Sequence, residues 1–463
     1  MKNSKEISDF PSLFKQHIDE KLARFQAILE SLDYDQIIIG SGSGNLQFQD
    51  DMAYPFKANP YFREWMPLDK RSNCFLQIQR NTLKPRLYLS CKEDIWHTAP
   101  QELPIEFSQH IEITEYSNIE TLKDTMLKHQ DRLLFINETN DFDIPDNHWN
   151  PRQALSAIDF QRRSKTAYEQ ACIRQATKLA VPAHRAAECA FMAGATELEI
   201  ASAYLSACKK SENDMPYAII AGINEHAAVL HHHQLNSQPV EPRSFLIDAG
   251  VQYNNYASDI TRTYAFDKGS DFSAMIQCLD IAQQQLVEEG GIGKSPMDLQ
   301  FLAQQKIAEI LIDFKLLKVS VEQALDNNII NTFFPHGLGH HLGSNVHDKG
   351  SRLANPQGDL ISASKKYPNL RASAPMQANQ VYTVEPGIYF IPSLLNKLRV
   401  NQPNSVDWDQ IENWIPYGGI RIEDNIILHA DGRLENITRQ AFKIKKPKNR
   451  KILRSSTSLE RNS

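Results

Sequence analysis

The chain has 463 residues, more than one hydrophobic core usually supports, so two domains are expected. It is 41% hydrophobic and 23% charged, an ordinary folded composition, and a formal net charge of -6 creates no field that would draw in nucleic acid or a membrane surface. The opening Met1-Lys-Asn-Ser-Lys-Glu-Ile7 has no apolar run of the signal type, and no later stretch is long and uncharged enough to span a bilayer, so a cytoplasmic protein without nucleic-acid or membrane partners is expected.

Up to about residue 155, short apolar runs alternate with polar turns: Gln36-Ile-Ile-Ile-Gly40, Cys74-Phe-Leu-Gln-Ile78, Arg86-Leu-Tyr-Leu-Ser90 and Arg132-Leu-Leu-Phe-Ile136. Runs of that length, separated by helix-compatible stretches, predict a small α/β domain. The segment 145–152, with two prolines and a tryptophan, reads as a connection, and long alanine-rich helices follow it. Thr166 with Glu169 and Thr196 with Glu199 have capping-box spacing, in which hydroxyl and carboxylate satisfy the first free backbone N–H groups of a helix. Ala201, Tyr204, Leu205 and Cys208 recur at helical spacing, as do Met275, Leu279, Ala282 and Leu286 before a Gly290-Gly291 stop. Ser295 with Pro296 in the first turn predicts a further helix through Ile312. Strand-like runs cover 243–249, 256–266, 380–390 and 419–428, so helices flanking a mostly antiparallel sheet predict an α+β domain. The end of the chain, rich in lysine and arginine from Lys443 and then in serine, reads as a solvated disordered extension. Cys74, Cys91, Cys172, Cys189, Cys208 and Cys278 form no C-x-x-C pair and are read as buried structural thiols of a reducing compartment.

Asp248 and Asp259 lie on two strand-like runs that meet at Tyr253-Asn254-Asn255, where asparagines tolerate left-handed backbone. An even-numbered hairpin loop puts both carboxylates on one face, where they repel unless one is protonated or a cation bridges them. Taken alone, the hairpin is equally read as one aspartate capping a turn and the other facing solvent. The stretch from His336 to Asp348 packs four histidines and three glycines into thirteen positions, too few apolar residues for a core element. Glu385 and Glu423 each interrupt an apolar, β-branched run, where an unpaired carboxylate is costly to bury. Either a cation partners each, or each strand is an edge, with Arg421 a local ion-pair partner for Glu423. Four carboxylates and an imidazole make a hard, oxygen-rich set that suits paired Mn²⁺, Co²⁺ or Zn²⁺ ions and hydrolysis by a bridging water.

The order Asp, Asp in a hairpin, His in His-Gly-x-Gly-His, Glu in Val-Glu-Pro-Gly and Glu in Arg-Ile-Glu-Asp resembles the pita-bread metallopeptidases, a superfamily that includes methionine aminopeptidase, aminopeptidase P and prolidase. Tyr54-Pro-Phe-Lys57, the segment from Asn224 to His231, Lys366-Tyr-Pro-Asn-Leu-Arg371 and the segment from Pro416 to Asp424 are similar to the bacterial Xaa-Pro dipeptidases of the proteobacterial type. The resemblance implies an α+β fold with a smaller N-terminal α/β domain (1–157), a pita-bread catalytic domain (158–442) and a basic tail (443–463). It implies two divalent ions, Mn²⁺ ahead of Co²⁺ or Zn²⁺, on Asp248, Asp259, His340, Glu385 and Glu423. It implies His347 as donor to the developing oxyanion, His231 on the substrate pocket and Glu385 as proton shuttle. Arg371 would bind the substrate's free C-terminal carboxylate, His336 would border the substrate, and Arg421 would also border it while ordering Glu423. The implied reaction is hydrolysis of Xaa-Pro dipeptides by a homodimer, with phosphotriester hydrolysis or aminopeptidase P action as alternatives. Two departures stand out: His232 and His233 follow His231 where the family commonly shows tyrosine next, and His341 stands where proline is frequent.

Overall fold

The computed structural model describes residues 9–91, 102–127, 132–362 and 365–444; nearly all of the expected basic tail and the first eight residues lie outside them. The four N-terminal apolar runs are strands. They are β1 (Gln36–Gly40), β2 (Phe75–Gln79), β3 (Arg86–Ser90) and, after an unpredicted β4 (Glu112–Tyr116), β5 (Leu133–Ile136). They form one mixed sheet in the order β4-β3-β2-β1-β5. Strand β4 escapes periodicity because it lies at the sheet edge with almost every side chain exposed, so nothing in it alternates. Helix α1 (Phe10–Ser31) lays Phe14, Ile18, Phe25 and Leu29 against Ile37 and Ile39 of the sheet. That core runs on without a break into Tyr168, Cys172, Tyr256 and Leu342, so the N-terminal sheet is docked on the rest of the molecule by apolar contact.

Beyond the sheet, α2 (Arg152–Arg162) begins where the predicted connection ends. The helices α3 (Ala167–Met192) and α4 (Glu197–Cys208) both start with complete capping boxes, and α5 (Asp271–Glu288) and α6 (Pro296–Asp313) also match their sequence signals. All strand pairs in this part are antiparallel. β6 (Ile220–Ile223), β7 (Ser244–Asp248) and β10 (Thr261–Ala265) form one sheet, with the short ribbon β8 (Gln252–Tyr253) and β9 (Tyr256–Ala257) between them in sequence. β11 (Gln380–Val384), β14 (Asp424–Leu428) and β15 (Leu434–Asn436) form a second sheet, and β12 (Gly387–Tyr389) pairs with β13 (Gly419–Arg421). Among the described residues no helix is long and apolar enough to cross a membrane.

Two expectations need correction. The runs 256–266, 380–390 and 419–428 are each broken, at 258–260, 385–386 and 422–423, because the chain leaves one strand partner for another there. The cysteines are all free, but only Cys74 and Cys172 are buried; Cys91 and Cys189 are exposed, the latter on the water-facing side of α3.

Candidate metal centre

The strand breaks coincide with the acidic residues singled out in the sequence. Asn254 and Asn255 turn the first hairpin with φ of 45° and 73°, the two-residue left-handed turn that matches strand twist. Pairing stays in one register from Gln252↔Ala257 to Asp248↔Thr261, so Asp259, two residues before Thr261, falls on the same face as Asp248. Likewise β11 with β14 and β12 with β13 share one register, Val384↔Asp424 and Gly387↔Arg421, which puts Glu385 opposite Glu423. There the two strands part. The Glu385 N–H donates to Leu338 O at 2.7 Å and the Glu423 N–H to Thr261 O at 3.1 Å, so each glutamate stitches its strand to a third segment.

Through the first of these bonds the histidine-rich segment joins the sheet edge. Thr383 N–H donates to His340 O at 2.9 Å and Leu342 N–H to Val381 O at 3.0 Å. A Cβ on Gly339 would stand 2.0 Å from Thr383 O, so only glycine allows this approach. His340 donates Nδ1–H to His341 O at 3.0 Å, leaving Nε2 to face Asp259 at 3.4 Å, Glu385 at 3.6 Å and Glu423 at 4.0 Å. A main-chain bond at Nδ1 with a lone pair at Nε2 is the tautomer of a metal-ligating histidine. One donor atom each from Asp259, His340 and Glu423 lies within 4.8 Å of the others, and all three residues are buried.

Charge in the cluster is unbalanced. Among the described residues, Arg421 is the one lysine or arginine hydrogen-bonded to these carboxylates, through Nη2 to Asp248 Oδ2 at 2.7 Å. Burial, reinforced by Asp259, pushes Asp248 up to about 6, and burial with both aspartates pushes Glu385 up to about 7. Glu423 rises well above the carboxylate range for the same reasons, while His340 holds Asp259 below its ordinary value in spite of burial. Tyr217 Oη is 2.8 Å from Asp248 Oδ1 and also hydrogen-bonded to Asp259 Oδ1. A phenol has one proton to give, so one of these carboxyls must supply another unless positive charge arrives from elsewhere. Divalent cations meet that need, and the buried carboxylate–imidazole donor set fits hard or borderline ions.

All ten residues singled out in the sequence line one cavity of about 470 Å³: the five acidic and imidazole groups together with His231, His336, His347, Arg371 and Arg421. His347 stands edge-on to His340, ring centroids 4.5 Å apart, and is kept at about 4 by burial and by His340. Arg371 is exposed, and its guanidinium has no hydrogen bond or ion pair among the described residues. His336 donates Nδ1–H to Gly337 O at 2.9 Å and accepts at Nε2 from Tyr389 Oη at 2.8 Å; Tyr389 Oη in turn accepts from Arg421 Nη1 at 2.8 Å. Burial, with Arg421 next, holds His336 at about 3, so it is neutral in this chain of bonds.

One expectation about Arg421 fails. Although Arg421 and Glu423 line the same cavity, Arg421 pairs with the carboxylate of Asp248, at the end of β7. It reaches Glu423 only through Thr261, whose Oγ1 accepts from Arg421 Nε and donates to Glu423 Oε2 at 2.8 Å. Thr261, Tyr217, Tyr389 and Arg352 were missed by sequence reasoning. Nothing in a lone Tyr217 or Arg352 signals a site, whereas Thr261 could have been found as the cross-strand partner of Asp248.

Known proteins resemble the chain over most of its length. The model of "Metallopeptidase family M24" matches residues 171–430, and that of "Xaa-Pro dipeptidase, N-terminal domain" matches residues 12–160. The chain is similar to the Xaa-Pro dipeptidase of Shewanella woodyi, 41% identical over 92% of this chain and 97% of that one. It is 39% identical to the Xaa-Pro dipeptidase of Serratia proteamaculans over 92% of this chain and 98% of that one. Among solved structures, aminopeptidase P from Escherichia coli in its low-pH form superposes with a TM-score of 0.72 at 19% identity, covering 92% of this chain and 95% of that one. The zinc-substituted form with product gives 0.70 at 20% identity, with the same coverage. The fold is therefore the pita-bread fold preceded by a smaller N-terminal domain.

Proposed function

The chain belongs to metallopeptidase family M24, hydrolases that depend on divalent metal ions, and from that premise we propose that it cleaves Xaa-Pro dipeptides carrying a free C-terminal carboxylate. The observation that carries this reading is one cavity of about 470 Å³ lined both by the carboxylate–imidazole cluster and by Arg371, whose guanidinium has no partner among the described residues. Asp248, Asp259, His340, Glu385 and Glu423 would hold two ions, Mn²⁺ before Co²⁺ or Zn²⁺. When bound, the ions supply Lewis acidity and a water acidic enough to be the nucleophile near neutral pH.

The side chains do the rest. Arg371 takes the substrate carboxylate in a two-pronged bond and so selects a molecule that ends at proline. His347, neutral because it is held at about 4, offers an N–H to the carbonyl oxygen as negative charge develops on it. Glu385, at the edge of the cluster facing the cavity, would carry a proton toward the departing proline nitrogen. Arg421 and His336, joined through Tyr389 by hydrogen bonds, would border the substrate together with His231, which also lines the cavity. A neighbouring cavity of about 560 Å³ shares His231, Asp248, Asp259 and His347 with the first, and Tyr217, Ile220 and Val346 on its wall would receive the side chain before proline.

Residues 158–442 would form the catalytic unit, in a cytoplasmic homodimer, as the sequence resemblance implies. No feature of the site favours phosphotriesters or longer peptides. The test is a panel of Ala-Pro, Leu-Pro, Ala-Pro-Ala and one phosphotriester with Mn²⁺-loaded protein. Fast turnover of the two dipeptides alone supports the proposal; tripeptide or phosphotriester turnover at equal or higher kcat/KM overturns it.

A further inference from the structure

Glu197, the first residue of α4, is 1% exposed, and its ion-pair partners among the described residues are two imidazoles with no lysine or arginine. His226 Nδ1 lies 2.8 Å from Oε1 and His232 Nε2 lies 2.8 Å from Oε2. The N–H groups of Ile223 and Asn236 donate to the same two oxygens at 2.8 and 2.7 Å, which fixes the carboxylate's orientation. The two rings are stacked at a tilt of 35°, centroids 4.4 Å apart, and one donor atom from each of the three residues lies within 4.8 Å of the others. None of the three lines the catalytic cavity.

Two imidazoles and a carboxylate are the ligand types of a borderline divalent ion, and bonds of roughly 2.0–2.2 Å put neighbouring donors about 2.9 Å apart at a right angle or about 3.4 Å apart in a tetrahedron. The observed 2.8 Å between each imidazole nitrogen and its carboxylate oxygen is a hydrogen-bond length, so the rings would swing outward by roughly half an ångström to take the tetrahedral spacing. Each imidazole becomes a ligand when the nitrogen that faces the carboxylate gives up its proton and the other ring nitrogen carries the N–H. The main-chain N–H bonds would remain behind the carboxylate as outer support. His226, with its side chain 38% exposed, gives an ion a way in and water a place in the fourth position.

We infer that Glu197, His226 and His232 form a further divalent-metal site, of the zinc class, distinct from the carboxylate-rich centre. His232 is the residue that makes it. A phenol at this position would satisfy Glu197 as a hydrogen-bond donor but is a poor ligand for such an ion. An ion here ties the segment 223–236, which carries His231 to the catalytic cavity, to the start of α4. The inference rests on this geometry alone and stands whether or not the chain cleaves dipeptides.

The experiment counts zinc per chain after equilibrium dialysis for the wild type, His232→Tyr and His226→Gln. His232→Tyr keeps a donor to Glu197 and is expected to stay folded. The wild type should hold one more ion than either variant, and the Co²⁺-loaded wild type should show visible absorption that both variants lack. Equal counts in all three would overturn the inference. If a variant fails to fold, anomalous scattering at the zinc edge from zinc-soaked wild-type crystals decides: a peak between the three side chains supports the site, and its absence overturns it.

Discussion

Replacing Arg371 with alanine separates recognition of the substrate's carboxylate from every structural effect. The side chain is exposed and makes no hydrogen bond among the described residues, so its loss should change stability by no more than about 0.5 kcal/mol. What it should remove is a charge-assisted bond to the C-terminal carboxylate, about 1.5–3 kcal/mol. At about 1.4 kcal/mol per factor of ten, kcat/KM for Ala-Pro should fall by about 10- to 150-fold. The assay compares Ala-Pro with its C-terminal amide, which presents no carboxylate. In the wild type the acid should exceed the amide by about that factor; in Arg371→Ala the two should converge on the amide's value. An equal loss on both substrates, or no loss on either, would refute the assignment of Arg371 to the carboxylate.

Gly339→Ala would drive a Cβ to 2.0 Å from Thr383 O and force the His340 segment off β11, so urea unfolding should show a loss of about 1–3 kcal/mol and a Mn²⁺ titration a weaker site. Unchanged Mn²⁺ affinity would mean that the β11 contact does not position His340. Asp348→Asn removes the carboxylate bonded at 2.7 Å to both Arg162 and Lys165, each about 2% exposed; Arg162 keeps Glu64 and Asp159, whereas Lys165 is left without a carboxylate partner among the described residues. The expected cost is about 3–5 kcal/mol in denaturant unfolding, and kcat should fall with it because His347 is the adjacent residue. Burial holds His17 at about 4 and His184 at about 3. The unfolded chain therefore takes up protons below about pH 6.5 that the folded chain refuses, so stability is full above that pH and falls as pH drops toward these lowered values, by up to about 1.4 kcal/mol per pH unit for each histidine. Urea midpoints from pH 7.5 to 4.5 should show this, and His184→Asn should flatten the fall; an unaltered slope in that variant would count against it.

Much of this arrangement is legible in the sequence because its causes are local. A two-residue asparagine turn determines which faces Asp248 and Asp259 share, and the capping boxes at Thr166 and Thr196 mark where helices start. The glycines of the histidine-rich segment announce a close backbone approach, which Gly339 makes against Thr383. What stays hidden is non-local. Strand β4 has no buried face to alternate, and the breaks at Glu385 and Glu423 depend on a third segment capturing each backbone N–H. The spacing of Arg421 and Glu423 suggests a local pair, but the carboxylate that Arg421 meets, Asp248, comes from a strand far away in the chain. Tyr217 reaches the two aspartates from 31 and 42 residues away in the chain, a distance no spacing rule spans.

Removing and restoring the metal is the decisive measurement for the centre built on Asp248, Asp259, His340, Glu385 and Glu423. Chelated protein should lose Ala-Pro hydrolysis by several orders of magnitude and recover it on titration with Mn²⁺, while Asp259→Asn, treated identically, should bind less metal and stay inactive. Full activity in protein shown by ion counting to be metal-free, or in Asp259→Asn, would contradict a catalytic role for the cluster.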